Sequence, residues 1–212
     1  IFKVPEFVLR IMMGEMADLV IYGQRVVPKR LQESGVIEKN TIASLWEFPA
    51  FVGLGIVGGV VAIMLIRGIG IAGDVSNKVP GPVWLRPALA GLMVGAIALV
   101  FPQVLGVGYG ATSQALAGNL VLWVLVGVAL AKIVTTAMCL GFGFGGGIFS
   151  PSLMIGAMVG GAYGLIATQI LPEYSSGPGV YTIIGMGAVA SAVLGAPIST
   201  MLIVFEMTGD WE

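Results

Sequence analysis

The chain has 212 residues, 57% of them hydrophobic and 10% charged, and its mean hydropathy of +1.00 excludes an ordinary soluble domain. Ten basic and eleven acidic residues give a net charge of -1, which offers no basic footprint for nucleic acid and no polybasic grip on lipid headgroups. With no histidine and one cysteine, Cys139, zinc, haem, Ser-His-Asp chemistry and an intramolecular disulfide are poorly served, no metal or cofactor is expected, and Cys139 reads as a small buried hydrophobe.

Uncharged runs occupy 87–131, 133–172 and 174–205, each long enough for at least one span of about 20 residues. They are apolar on every side, which predicts helices and not barrel strands. The expected fold is therefore all-α, a multi-pass helical protein integral to a lipid membrane. Residues 1–44 read as a polar or amphipathic peripheral segment, with Ile11, Met12, Met16, Leu19 and Val20 on one helical face and Glu15 and Asp18 elsewhere. The transmembrane region is expected over 45–210. Its first span, 48–66, follows Trp46, carries Pro49 in its first turn and ends at Arg67; AGDVSNKVPGP (72–82) has loop chemistry. A second span covers 83–101, a glycine-broken stretch with one short helix 102–118, and further spans 119–140, 146–171 and 180–195. The apolar part of 196–210 is only about ten residues, too short to cross at about 1.5 Å per residue. Unequal spans broken by Gly and Pro are the pattern of transporters and channels, where irregular backbone lies buried in protein or lines a polar cavity.

The chain holds 33 glycines. Gly156, Gly160 and Gly164 form one small-residue ridge, Gly91 and Gly95 another, and Gly187, Ser191 and Gly195 a third. Such rows let helix backbones approach closely, a role favoured here over making room for a permeation path.

The stretch GFGFGGGIFSPSL (141–153) is where chemistry is expected. A helix start leaves backbone N–H groups unpaired and carries about half a positive charge, so it attracts anions without a basic side chain. Gly145, Gly146 and Gly147 let the backbone turn and approach a ligand, Pro151 falls near the first turn, and the N–H groups of Ile148 and Phe149 then point out of the helix end. At mid-membrane that end is an anion site; at the surface it is a flexible connection. An unpaired anion in a low-dielectric interior costs on the order of tens of kcal/mol, and one helix end returns about 1–2 kcal/mol. Other donors have to converge.

GGGIFSPSLMIGAMVGGAYG resembles the GxFxP motif segment of the CLC family of chloride channels and proton-coupled chloride exchangers. In the family's order, IFKVPEF (1–7), WEFPAFVGLGIVGG (46–59), WLRPALAGLMVGAIALVFPQVLGVGYGATSQALAG (84–118) and GMGAVASAVLGAPISTMLIVFEMTGD (185–210) are similar to family segments as well. The resemblance implies the later half of an inverted-repeat bundle with broken helices, lacking its final helices, and a homodimer when full length. It implies chloride as the substrate, protons as a second one in exchangers, and main-chain amides of Ile148 and Phe149 contacting chloride within a motif supported by Gly146, Gly147, Ser150 and Pro151. The family's GSGIP and GREGP motifs have no counterpart here, and its late tyrosine and internal proton-transfer glutamate are expected beyond the two ends of this chain. Residues 11–41 look like an insertion relative to the family. Channel and exchanger both stay open, as does a non-transporting fragment.

Lys132 and Glu206 are the charged candidates for a role along an ion path. For Lys132 the favoured alternative is snorkelling or pairing with a backbone carbonyl, for Glu206 satisfaction of nearby backbone. Tyr109 and Tyr163 read as packing residues. An intramembrane enzyme needs a nucleophile and base or paired aspartates inside spans, and no histidine or suitably placed aspartate exists.

Overall fold

Proline marks where several helices begin. The structure, a computed structural model, describes residues 47–80, 82, 84–170 and 175–208, with backbone alone at 205–208. Its elements are α1 (Phe48–Lys78), α2 (Leu85–Val100), a 3-10 turn (Pro102–Val104), α3 (Tyr109–Leu116), α4 (Leu122–Gly141), α5 (Phe149–Ile170), α6 (Pro178–Leu194) and α7 (Pro197–Thr208). Pro49, Pro102 and Pro178 each occupy a first or second helical position, where the missing N–H would have had no intrahelical partner. No strand occurs among the described residues, so the all-α expectation holds. The expected peripheral segment 1–44 and its insertion at 11–41 lie outside them.

Three of the expected spans depart from the length of a simple crossing helix. Helix α1 has 31 residues, about 46 Å at the usual rise, and absorbs most of the loop expected over 72–82. Gly68 and Gly73 pack on α4 and do not terminate the helix: a Cβ on Gly68 would lie 3.3 Å from Ala137 Cβ, and one on Gly141 of α4 would lie 2.7 Å from the Gly73 nitrogen. The chain leaves the helix only as Pro80 approaches, because the residue before a proline resists helical geometry. Conversely, α2 and α6 have 16 and 17 residues, about 24–26 Å long against a hydrocarbon core of about 30 Å. Pro102 follows the first, and Gly195 at φ +67° caps the second. Helices α1, α4 and α5 are long and apolar enough to cross a membrane.

Helix α5 lies at the centre, packed on α6 and α4 and touched by α1 and α3. Its ridge of Gly156, Gly160 and Gly164 meets the α6 backbone directly. A Cβ on Gly156 would stand 2.7 Å from Met186 Cα, one on Gly160 3.0 Å from the Cα atoms of Gly185 and Thr182, and one on Gly164 2.8 Å from Tyr181 Cβ. The other two expected rows are not seams inside the described chain. A Cβ on Gly95, Gly187 or Gly195 would meet nothing within 4 Å, and one on Gly91 would touch the Phe144 ring at 3.7 Å, so neither row brings two described helix backbones together. Two apolar clusters flank α5. One joins Leu125, Val128, Met154, Met158 and Ala190, and the other Leu65, Ile133, Ile155 and Val189. Outside them, large apolar side chains such as Val52, Ile56, Leu92, Leu99 and Trp123 stand exposed, as lipid-facing or partner-facing helices require.

At one end of the bundle Glu47, 3% exposed, ties the start of α1 to that of α6. One carboxylate oxygen accepts the Ser176 N–H at 2.7 Å and the other accepts the Ser176 hydroxyl. A carboxylate so placed sits at two helix starts at once, where negative charge is favoured. Its partner is 129 residues away, beyond the reach of any local pattern.

Candidate functional site: the start of α5 and its cavity

The start of α5 is held by its own side chains. Ile148 packs against the Leu65–Ile155 cluster and Phe149 against the Leu125–Met158 cluster, so the two residues anchor in opposite directions. The Ser152 N–H donates to the Ile148 carbonyl at 3.1 Å, which makes Ile148 the N-cap and puts Phe149, Ser150 and Pro151 at the first three helical positions. Of the four backbone positions left without intrahelical partners, Pro151 has no N–H, and those of Ile148, Phe149 and Ser150 donate no hydrogen bond among the described residues. The Ser152 hydroxyl turns back to the Phe149 carbonyl at 2.6 Å. The two predicted amides are thus bare donors at a fixed helix end.

The glycines before them behave differently from the expectation. Only Gly143 takes a left-handed conformation, at φ +88°. Gly145, Gly146 and Gly147 have no such φ, and a Cβ on any of them would meet nothing within 4 Å. They are not required by a turn or by packing within the described chain. What they leave is bare backbone facing open space.

That space is a cavity of about 290 Å³ between the middle of α2, the loop after it, one face of α4 and the glycine run. Gly145, Gly146, Gly147 and Pro151 line it on one side; Lys132, Thr135, Thr136, Cys139 and Leu140 line it on the other. Lys132 is the eleventh residue of the 20-residue α4, about 15 Å from either end, so the cavity runs from the start of α5 to the middle of a helix long enough to cross a membrane.

Lys132 is 5% exposed and donates to the carbonyls of Val104 and Gly106 at 2.7 and 2.8 Å. Here the carbonyl-pairing alternative is the one observed. The loop 102–108 is irregular backbone beside the centre of α4, and such backbone needs its polar groups satisfied by protein or water. The ammonium satisfies two carbonyls and is the one charge among the described residues that line the cavity. Lys132→Met, which keeps the stem and removes the donors, is expected to lower stability by about 1.5–3 kcal/mol, the usual worth of hydrogen bonds to a charged group. Denaturant titration in detergent measures it; an unchanged midpoint would show that the loop holds without the lysine.

The remaining candidates separate. Ser150 lies at the helix start, half-buried. Glu206 falls in α7, and its side chain lies outside the described residues. Tyr163 packs, its ring 5.8 Å from that of Tyr181, whereas Tyr109 is 58% exposed and does not pack as expected, because it opens the short α3 at the surface. Cys139 is a further correction: it is only partly buried and lines the cavity. The signal was present in the spacing, since positions 132, 136 and 139 share one helical face, but nothing in the sequence said that the face borders a cavity. Thr136 was missed for the same reason.

The sequence model of a family described as "Voltage gated chloride channel" matches residues 6–212. The H(+)/Cl(-) exchange transporter ClcA of Yersinia pestis bv. Antiqua (strain Angola) is 30% identical over 206 residues, covering 95% of this chain and 42% of that protein. ClcA of Yersinia pseudotuberculosis serotype O:3 (strain YPIII) gives the same figures. Chloride channel protein CLC-f of Arabidopsis thaliana is 32% identical over 196 residues, 85% of this chain and 25% of that protein. The chain therefore spans less than half the length of these relatives.

Proposed function

The chain belongs to the voltage-gated chloride channel family, whose model covers residues 6–212, and from that premise we propose that it forms part of a chloride transport path in which the amides of Ile148 and Phe149 are one wall of an anion site. The observation that carries this is the start of α5: bare N–H groups at a helix end, anchored by two core clusters and flanked in sequence by Gly147 and Pro151, which line a cavity that also holds a buried ammonium. Helix dipole and free amides favour an anion there, and the lysine raises the potential of the same space. As an integral membrane protein of this family it moves ions and is not read as an enzyme.

Coupling of chloride to protons is the second reading, drawn from the ClcA relatives, which are named as H(+)/Cl(-) exchangers and matched over 95% of this chain, beside the CLC-f relative, which is named as a chloride channel. The test is flux in liposomes by the product of the complete reading frame that contains this chain. Chloride efflux is expected, and a chloride gradient is expected to drive protons uphill. Efflux with no proton movement would leave a channel; no efflux at all would remove the transport reading.

A further inference from the structure

Four threonines are buried among the described residues: Thr135, Thr136, Thr182 and Thr200. A buried helical threonine ordinarily returns its hydroxyl to a carbonyl three or four residues back. Thr182 does so with Pro178 at 2.8 Å, Thr200 with Ala196 at 2.8 Å and Thr135 with Lys132 at 3.2 Å. Thr136 does not. It is 6% exposed, its hydroxyl has no hydrogen-bond partner among the described residues, and it lines the cavity next to Lys132 and opposite Gly145–Gly147. The Lys132 carbonyl it would have used already receives Thr135. Among the described residues the one solvent-excluded side-chain atom without a partner is Arg86 Nε, so the Thr136 hydroxyl is not sealed off: it stays accessible and free to donate on a cavity-lining residue that is otherwise buried.

We propose that the Thr136 hydroxyl is an anion donor inside this cavity, a chloride-contacting and specificity-determining group on the approach to the α5 start. The proposal rests on the chloride reading above and deepens it. A hydroxyl supplies one O–H donor, and Lys132 one turn away contributes positive potential while two of its own donors are held by Val104 and Gly106. Opposite them the exposed glycine backbone adds no side chain to narrow the space. The hydroxyl and the ammonium share this cavity with Gly147 and Pro151, the residues that flank the amides of Ile148 and Phe149 in sequence. The lining is otherwise apolar at Val94, Leu105 and Leu140, so a donor here acts in a low-dielectric wall where its worth is greater than in water.

Cys139, one turn beyond Thr136 on the same cavity face, provides a reporter that does not depend on transport. In the product of the complete reading frame, Cys139 is reacted with a small anionic methanethiosulfonate in chloride or in gluconate buffer, and its labelling rate is read by peptide mass spectrometry. Chloride is expected to slow labelling in the wild type. Thr136→Val, which keeps the shape and loses the donor, is expected to need about tenfold more chloride for the same protection, the loss of one hydrogen bond to an ion, with Thr136→Ser restoring it. Thr136→Ala serves if the valine variant fails to fold. Equal protection in the valine or alanine variant and the wild type, or no protection in the wild type, overturns the role of Thr136. Chloride flux measured on the same samples reports separately on the transport reading: an active wild type with an unaffected variant sinks this inference alone, and protection without flux sinks transport alone.

Discussion

Gly160→Val is expected to separate α5 from α6 and abolish the folded bundle. The position is the middle of the ridge, and a Cβ there would enter the space of the Tyr181 carbonyl and come within 3.0 Å of two Cα atoms. Those neighbours are backbone, which cannot move aside by a change of rotamer as a flexible side chain can. Overpacking typically costs about 1–3 kcal/mol and sometimes more, and with helix backbone on the opposing side the upper end, about 3 kcal/mol, is the expected minimum. Valine adds two methyl groups beyond the Cβ, so Gly160→Ala should be milder but still destabilising. Gly187→Ala is the internal control: its Cβ would meet nothing within 4 Å, and removal of a helical glycine should be neutral or stabilise by up to about 1 kcal/mol. Size-exclusion profiles and unfolding midpoints in detergent decide it. A normally folded Gly160→Val protein would mean that the α5–α6 contact is looser than described.

This contrast also shows what the sequence made legible. Glycines four apart at 156, 160 and 164 announced a close helix contact, and the contact is there, because the period of a helix places those positions on one line. The same pattern at 187, 191 and 195 announced a seam that the described chain does not contain, since a small residue is equally compatible with a packed face and an outward one. The α5 start was readable at Ile148 and Phe149 because N-terminal donors follow from chain geometry alone. Helix α1 was cut short because Asp74, Ser76 and the glycines near them have loop-forming chemistry, which close packing on α4 overrides. Partners distant in sequence were invisible: Glu47 with Ser176, and the cavity that one face of α4 lines.

Phe149→Pro is expected to weaken chloride binding by roughly ten- to a hundredfold, the range corresponding to one lost hydrogen bond to a charged group. The first helical position is the one place where proline removes an N–H while preserving the helix. The proline also pushes the residue before it toward extended backbone, which is the conformation usual for an N-cap, and Ile148 is that N-cap. The complication is the ring, which packs against the Leu125–Met158 cluster and whose loss lowers stability whatever replaces it. Phe149→Ala loses the same ring and keeps the N–H, so the difference between the two variants isolates the amide. Chloride titrations by calorimetry on both, made at a temperature where both are folded, give that difference directly. Binding is expected to weaken in the proline variant well beyond the alanine variant and not to vanish, because the Ile148 amide, the Lys132 charge and donors from other segments persist, and a helix end returning about 1–2 kcal/mol was never sufficient by itself. Equal affinities in the two variants would take the Phe149 amide out of the anion site and leave the cavity donors on α4 as the groups that meet the ion.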